Sequence, residues 1–306
     1  MNAHTAKVLN ALRRPTWPGT IERPARRRNI GLAYDTSWTR TPTGRAVRAL
    51  ALDGIALPLV RALASPTILG ADVLDHLGGP VIFAANHSSH LDTSLVLESL
   101  PLSIRRKTVV GAAADYFFDR PWKAAASSLL LGAIPVERSR VNRQSADIAA
   151  SLIQEGWNLV IFPEGGRSPD GWGQEFHPVM AAYLAKRCGV PVVPLHLDGA
   201  RAIFPKGSTT IRPGKTTIRF GSPMVPKAAS GREREEDARR FALRLEHAVA
   251  ALADEAESDW WSARKRAASG STPPFRGPDI ALWRRSWSLP AGRRQDHSRG
   301  SLPKPW

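Results

Sequence analysis

Short apolar runs recur along the middle of the chain at 67–70, 81–85, 107–112, 133–137, 158–162, 192–196 and 216–221. Several, such as Val81-Ile82-Phe83-Ala84-Ala85, are unbroken rather than alternating, the pattern of strands covered on both faces. Between them lie stretches with helical spacing, at 92–100, 121–131, 142–155, 178–188 and 231–258. Strands alternating with helices predict an α/β fold with a mixed, largely parallel sheet flanked by helices. Ahead of the first strand, Ala46, Leu50, Ile55, Leu57, Leu59, Val60 and Leu63 predict an N-terminal amphipathic helix kinked at Pro58. Such a helix can lie in a membrane interface or simply pack on the domain. Arg48, Asp53, Pro58, Arg61, Pro66 and Asp72 interrupt 46–73, so this stretch does not read as a membrane span.

Charge divides the chain of 306 residues more sharply than hydropathy does. Its net charge is +16, of which residues 1–28 contribute +6 and residues 260–306 contribute +8, leaving a nearly neutral middle. This predicts a basic, largely disordered arm over 1–42, a folded domain over 43–258, and a basic, Trp-rich tail over 259–306. The arm lacks the apolar stretch of a secretory signal and reads as a cytoplasmic extension. Trp260, Trp261, Trp283, Trp287 and Trp306 among the basic residues favour an anionic membrane surface as partner, with solvated arms as the plain alternative. Nothing in the middle resembles a nucleic-acid module, so no nucleic acid is expected. The single cysteine, Cys188, excludes a disulfide framework and reads as a packed residue.

The chemistry gathers where apolar runs end. Asn86-His87-Ser88-Ser89-His90-Leu91-Asp92 follows 81–85 directly, and a helix starting near Asp92 would turn its carboxylate back beneath His87. A histidine acts as a base only if its tautomer is fixed, and a carboxylate on the other ring nitrogen does this. Alone, the spacing is a weak signal, because Asp is a common helix cap. The run Val160-Ile161-Phe162-Pro163-Glu164-Gly165-Gly166-Arg167-Ser168 is a second strand end, with glycines that permit close backbone approach and an arginine suited to phosphate. Gly132 to Arg138 brings another arginine to a strand end, and Gly189 to Leu195 supplies a further apolar strand.

These four blocks, in this order, resemble the glycerolphosphate and lysophosphatidic acid acyltransferase family. Asn86, His87 and Asp92 match its N-H-x4-D block, and Arg138 the arginine ending its second block. Phe162, Pro163, Glu164, Gly165, Arg167 and Ser168 match F-P-E-G-T-R-S, and 190–195 matches its fourth block. Gly166 stands where threonine is usual, and Phe176-His177-Pro178-Val179 where F-K-x-G is common. Both departures fall on the acceptor side. The resemblance covers roughly 43–225, with the motif core at about 80–225.

The resemblance implies transfer of an acyl group from acyl-CoA or acyl carrier protein to a hydroxyl of a lysophospholipid or glycerol phosphate, in phospholipid synthesis. His87 would be the base and Asp92 its orienting partner. Arg138, Glu164, Gly165, Gly166 and Arg167 would form the acceptor phosphate site, with Glu164 organising the loop. No cofactor or metal is implied, and the expected location is peripheral, on the cytoplasmic face of the plasma membrane. Two other classes remain open: a metal-assisted lipid phosphatase or hydrolase using His87, His90 and Asp92, and a non-enzymatic adaptor on anionic membranes. Chelator-sensitive phosphate release would mark the first, and lipid retention without turnover the second. His177 and His196 are expected near a helix start and a core edge.

Overall fold

The run at 81–85 becomes the strand Ile82–Ala85 of a seven-stranded sheet, every residue of it inaccessible to solvent. A computed structural model describes residues 31–137, 143–177, 180–227, 236–278 and 280. Its strands are β1 Pro66–Leu69, β2 Ile82–Ala85, β3 Thr108–Ala113, β4 Ala133–Val136, β5 Asn158–Ile161, β6 Val192–Asp198 and β7 Thr216–Phe220. The order across the sheet is β1-β7-β6-β2-β5-β3-β4. All neighbours are parallel except β6 and β7, so the fold is mixed and largely parallel as expected.

The helices of at least eight residues are α1 Pro42–Ala51, α2 Leu57–Ala64, α3 Asp92–Ser99, α4 Pro121–Leu131, α5 Arg143–Gln154, α6 Met180–Cys188, α7 Ala238–Glu257 and α8 Trp260–Ser269. Alternate residues of the central strands feed two cores. Phe83 and Leu195 pack with Leu57, Val60 and Leu95 from α2 and α3. Ile82 and Leu159 pack on the other face with Ala149, Leu184 and Phe241 from α5, α6 and α7. Each such large side chain contributes about 1.5–3 kcal/mol on burial, and the two-sided cover explains why the strands read as continuous apolar runs.

Three sequence expectations shift. The kink at Pro58 is spread over a π-helical turn, Leu52–Ala56, in which the Leu57 N–H donates to the Leu52 carbonyl five residues back. Proline crowds the carbonyl one turn before it, and a wider turn relieves the crowding. The combined helix both packs and stays open: Leu52, Leu57 and Val60 are buried, whereas Leu50 and Ile55 are about two-thirds exposed, at 72% and 67%. The arm does not extend to 42, because Leu32 is buried and Tyr34 meets Phe118 at 5.7 Å. The tail does not begin at 259. Asp259 caps α8, whose Arg266 pairs with Asp254 of α7 through both carboxylate oxygens at 2.7 and 2.8 Å. Residues 1–30 and 281–306, with Trp283, Trp287 and Trp306, lie outside the described residues. No helix among the described residues is long and apolar enough to cross a membrane.

Candidate active site

The site is built where β2 and β5 end side by side. Asn86 acts here as an extra rung of the sheet: its Nδ2 donates to the Leu197 carbonyl at 2.9 Å, and its Oδ1 accepts the Leu197 N–H at 2.7 Å. This pins the end of β2 to β6 and starts the turn at a fixed point. Asp92 is the first residue of α3 and is fully buried. Its Oδ2 accepts the backbone N–H of Ser88 at 2.6 Å and of Ser89 at 2.8 Å, and lies 2.9 Å from His87 Nδ1. The turn therefore folds back as the spacing predicts. With Nδ1 on a carboxylate, the proton sits on Nδ1 and the lone pair on Nε2. The imidazole stacks on Phe162, ring centres 4.2 Å apart, which fixes its plane.

The glycine-containing loop holds the main chain of His87 from both sides. Glu164 Oε1 accepts the His87 N–H at 2.8 Å, and the Ser168 N–H donates to the His87 carbonyl at 2.7 Å. Glu164 Oε2 accepts the Gln174 N–H at 3.0 Å. The carboxyl of Glu164 is thus buried beneath the loop and does not join the phosphate-binding set in which the sequence placed it; a carboxylate facing a phosphate would in any case repel it. Its expected part in organising the loop is what the geometry displays. Burial pushes its pKa up to about 8, against the opposing pull of the N–H groups from His87 and Gln174. Gly165 has φ +68°, a left-handed conformation that favours glycine. The Gly165 N–H donates to the Phe162 carbonyl at 3.0 Å, so the turn itself uses this donor.

Arg167 leaves this loop with its guanidinium 5.7 Å from the centre of the Tyr116 ring and in contact with His90 Nε2. The His90 ring rests against Phe204, and burial lowers its pKa, with the Arg167 charge acting in the same direction. A neutral His90 can accept from the arginine. His87 and His90 therefore turn to different partners, and among the described residues no group of three or more His, Cys, Asp or Glu is arranged to hold a metal ion. Arg138 lies outside the described residues. A cavity lined by Glu137 opens beside His87.

That cavity measures about 280 Å³. His87, Tyr116 and Arg167 are among its polar lining residues, and Val110, Leu131, Val136, Ile161 and Met180 among its apolar ones. Gly165, Gly166 and His177 also line it. His196 instead belongs to the core edge of β6, where burial takes its pKa down to about 4. Cys188 is partly buried, and burial raises its thiol pKa. Sequence reasoning missed Tyr116 and Gln174. Neither sits in a motif, and only the folding of the helical turn Ala114–Phe117 against Arg167 and of the loop at 172–176 against Glu164 gives them a place.

A buried carboxylate thus holds one nitrogen of a histidine that lines a largely apolar cavity together with an arginine, an arrangement suited to general-base chemistry at the strand ends of an open α/β sheet. Residues 65–198 match the family model described as Acyltransferase. Among curated proteins, the chain is 32% identical over 172 residues to a 1-acyl-sn-glycerol-3-phosphate acyltransferase of Chlamydomonas reinhardtii, covering 52% of this chain and 47% of the relative. It is 33% identical over 146 residues to the chloroplastic 1-acyl-sn-glycerol-3-phosphate acyltransferase BAT2 of Brassica napus, covering 47% of this chain and 40% of the relative. The chain thus spans about half the length of the curated relatives it matches. The fold is similar to the crystal structure of the 1-acyl-sn-glycerophosphate (LPA) acyltransferase PlsC from Thermotoga maritima, with a TM-score of 0.53 and 23% identity over 74% of this chain and 84% of that one.

Proposed function

We propose that this protein is an acyltransferase moving a fatty acyl group from an acyl thioester, acyl-CoA or acyl carrier protein, to a hydroxyl of lysophosphatidic acid or a closely related lysophospholipid. The observation that carries the reading is His87, its Nδ1 held by buried Asp92 and its ring stacked on Phe162, on the wall of an apolar cavity shared with Arg167. His87 Nε2 takes the acceptor hydroxyl proton as the oxygen attacks the thioester carbonyl. The C–S bond then breaks, and the proton passes to the departing thiolate. Asp92 keeps the productive tautomer and stabilises the imidazolium as it forms. The apolar walls suit the acyl chain, and the reaction so drawn uses no metal or organic cofactor.

Incubation of the purified protein with acyl-CoA and lysophosphatidic acid in excess chelator should release CoA thiol and yield phosphatidic acid by mass spectrometry. Phosphate or fatty acid release without a diacyl product would overturn the reading. Arg167 is assigned to the acceptor phosphate. Arg167→Ala should raise the acceptor KM at least tenfold, the loss of a charge-assisted contact worth about 1.5–3 kcal/mol. An effect confined to the donor KM would move Arg167 to the thioester side.

The proposed location is peripheral, on the cytoplasmic face of the plasma membrane. Support comes from the basic ends and from the exposed Val47, Leu50, Ile55 and Leu59 of the α1–α2 segment. Trp260 and Trp261 of α8 are also exposed, with Arg264 5.8 Å from the Trp260 ring centre. Sedimentation with anionic vesicles should weaken as salt rises, because exposed charges are screened within about 8 Å at physiological ionic strength. It should weaken further in a Leu50→Glu/Ile55→Glu protein. Equal sedimentation with neutral and anionic vesicles, unaffected by both changes, would remove the membrane assignment.

A further inference from the structure

The stretch after α8 returns to the catalytic end of the sheet and lies along the loop that follows Arg167. The Phe275 carbonyl accepts the Gly173 N–H at 3.1 Å, and the Phe275 ring meets the Phe176 ring edge-on at 5.9 Å. Contact at Gly173 is so close that a Cβ there would fall 2.0 Å from Phe275 Cε1. Gly277, at φ +76°, lies against the Trp172 ring, and a Cβ would come within 2.4 Å of it. Arg276 closes the arrangement. Its Nε and Nη2 donate to the two oxygens of Glu246 on α7 at 2.9 and 3.1 Å, and Glu246 Oε2 also accepts the Phe176 N–H at 3.1 Å. Arg276 Nη1 lies 3.4 Å from Glu175. Thus 172–176 is gripped between this stretch and α7.

The same loop is what holds Glu164. Gln174 donates its N–H to Glu164 Oε2 and its Nε2 to the Gly166 carbonyl at 2.9 Å, while Ser168 Oγ donates to the Trp172 carbonyl at 2.7 Å. Glu164 in turn accepts the His87 N–H. An unbroken series of short contacts therefore runs from 275–277, through 172–176, to the backbone of His87 and the loop that carries Arg167. Without the strap, 172–176 would keep its bonds to Glu164, Gly166, Ser168 and Glu246 but lose the Phe275 and Arg276 contacts that press it onto them.

We propose that residues 271–277 form a strap that positions His87 through the 172–176 loop and Glu164, with Phe275 and Arg276 as its positioning residues. The strap lies outside the acyltransferase-matched region 65–198, and its catalytic consequence rests on the acyl-transfer reading above.

The test uses the full chain. Amide exchange over 163–177 should be at least tenfold faster in Arg276→Ala and in the milder Phe275→Leu, while β2 and β5 stay protected. Turnover should fall five- to fiftyfold in Arg276→Ala, with the acyl-donor KM within twofold, because the strap does not line the acyl cavity. In a Glu164→Gln background, Arg276→Ala should cost less than a further twofold, since both changes cut the same connection. Arg266→Ala, which breaks the α8–α7 pair without touching the loop, should leave turnover within twofold. Unchanged exchange over 163–177, multiplicative losses in the double variant, or an equal loss in Arg266→Ala would each overturn the strap. Wild-type protein with no acyl transfer, but with strap-dependent exchange, would overturn the functional reading and leave the mechanical link standing.

Discussion

His87→Ala is expected to lower kcat by about 10² to 10⁴, the range general-base catalysis supplies, and to leave the fold intact. The side chain is not a core member: its ring lies on Phe162 and on the cavity wall. What holds the loop in register is the His87 main chain, whose N–H and carbonyl bond to Glu164 and Ser168, and alanine keeps both groups. Asp92 would still accept the Ser88 and Ser89 N–H groups. Steady-state turnover of acyl-CoA and lysophosphatidic acid, alongside far-UV circular dichroism and a melting curve, checks both halves. A folded His87→Ala protein with near-normal acyl transfer would remove the base from the mechanism.

Asp92→Asn should lose about 10² to 10³ in kcat and, unlike the histidine variant, should also lose stability. One oxygen of Asp92 accepts three donors, and the other is buried without a hydrogen-bond partner. Asparagine has a single oxygen. If that oxygen faces the three donors, its NH2 is buried where no acceptor is at hand, a cost of about 1–3 kcal/mol. If the amide flips, the NH2 meets two backbone N–H groups and forces His87 to offer a lone pair at Nδ1. The proton then moves to Nε2, the wrong nitrogen for a base. In either orientation the negative charge that stabilises the imidazolium is gone. Turnover and urea unfolding measure the two effects, and an Asp92→Asn protein matching wild type in both would show that the carboxylate has no role in orienting the base.

The elements and the motif ends were legible in the chain because both depend on local patterning. Seven runs correspond to the seven strands; the central β2 and β5 are buried on both faces and so almost wholly apolar, whereas β7 alternates and the outer β1 is largely exposed. The return of Asp92 to His87 was legible because a helix starting at Asp92 leaves few conformations for five intervening bonds. The Pro58 irregularity was visible too, though not its π form, which depends on how neighbouring turns share the strain.

Tertiary contacts decided the rest. Asn86 reads in the sequence as a motif letter; its work is with Leu197, 111 residues away. Glu164, an acidic residue in an anion-binding loop by sequence, is a buried brace for the His87 N–H because β5 ends beside β2. Tyr116 faces Arg167 only because the connection after β3 folds over the strand ends. The stretch 259–278 carries no strong periodicity and many cations, so composition marks it as tail; its attachment comes from single, specific contacts of Arg266, Phe275 and Arg276 with distant residues. Periodicity and short spacings are properties of neighbours in the chain and survive in one dimension. Which strand ends meet, and which side chain is thereby buried or aimed at the base, depends on the order of strands in the sheet, and that order is settled only by packing.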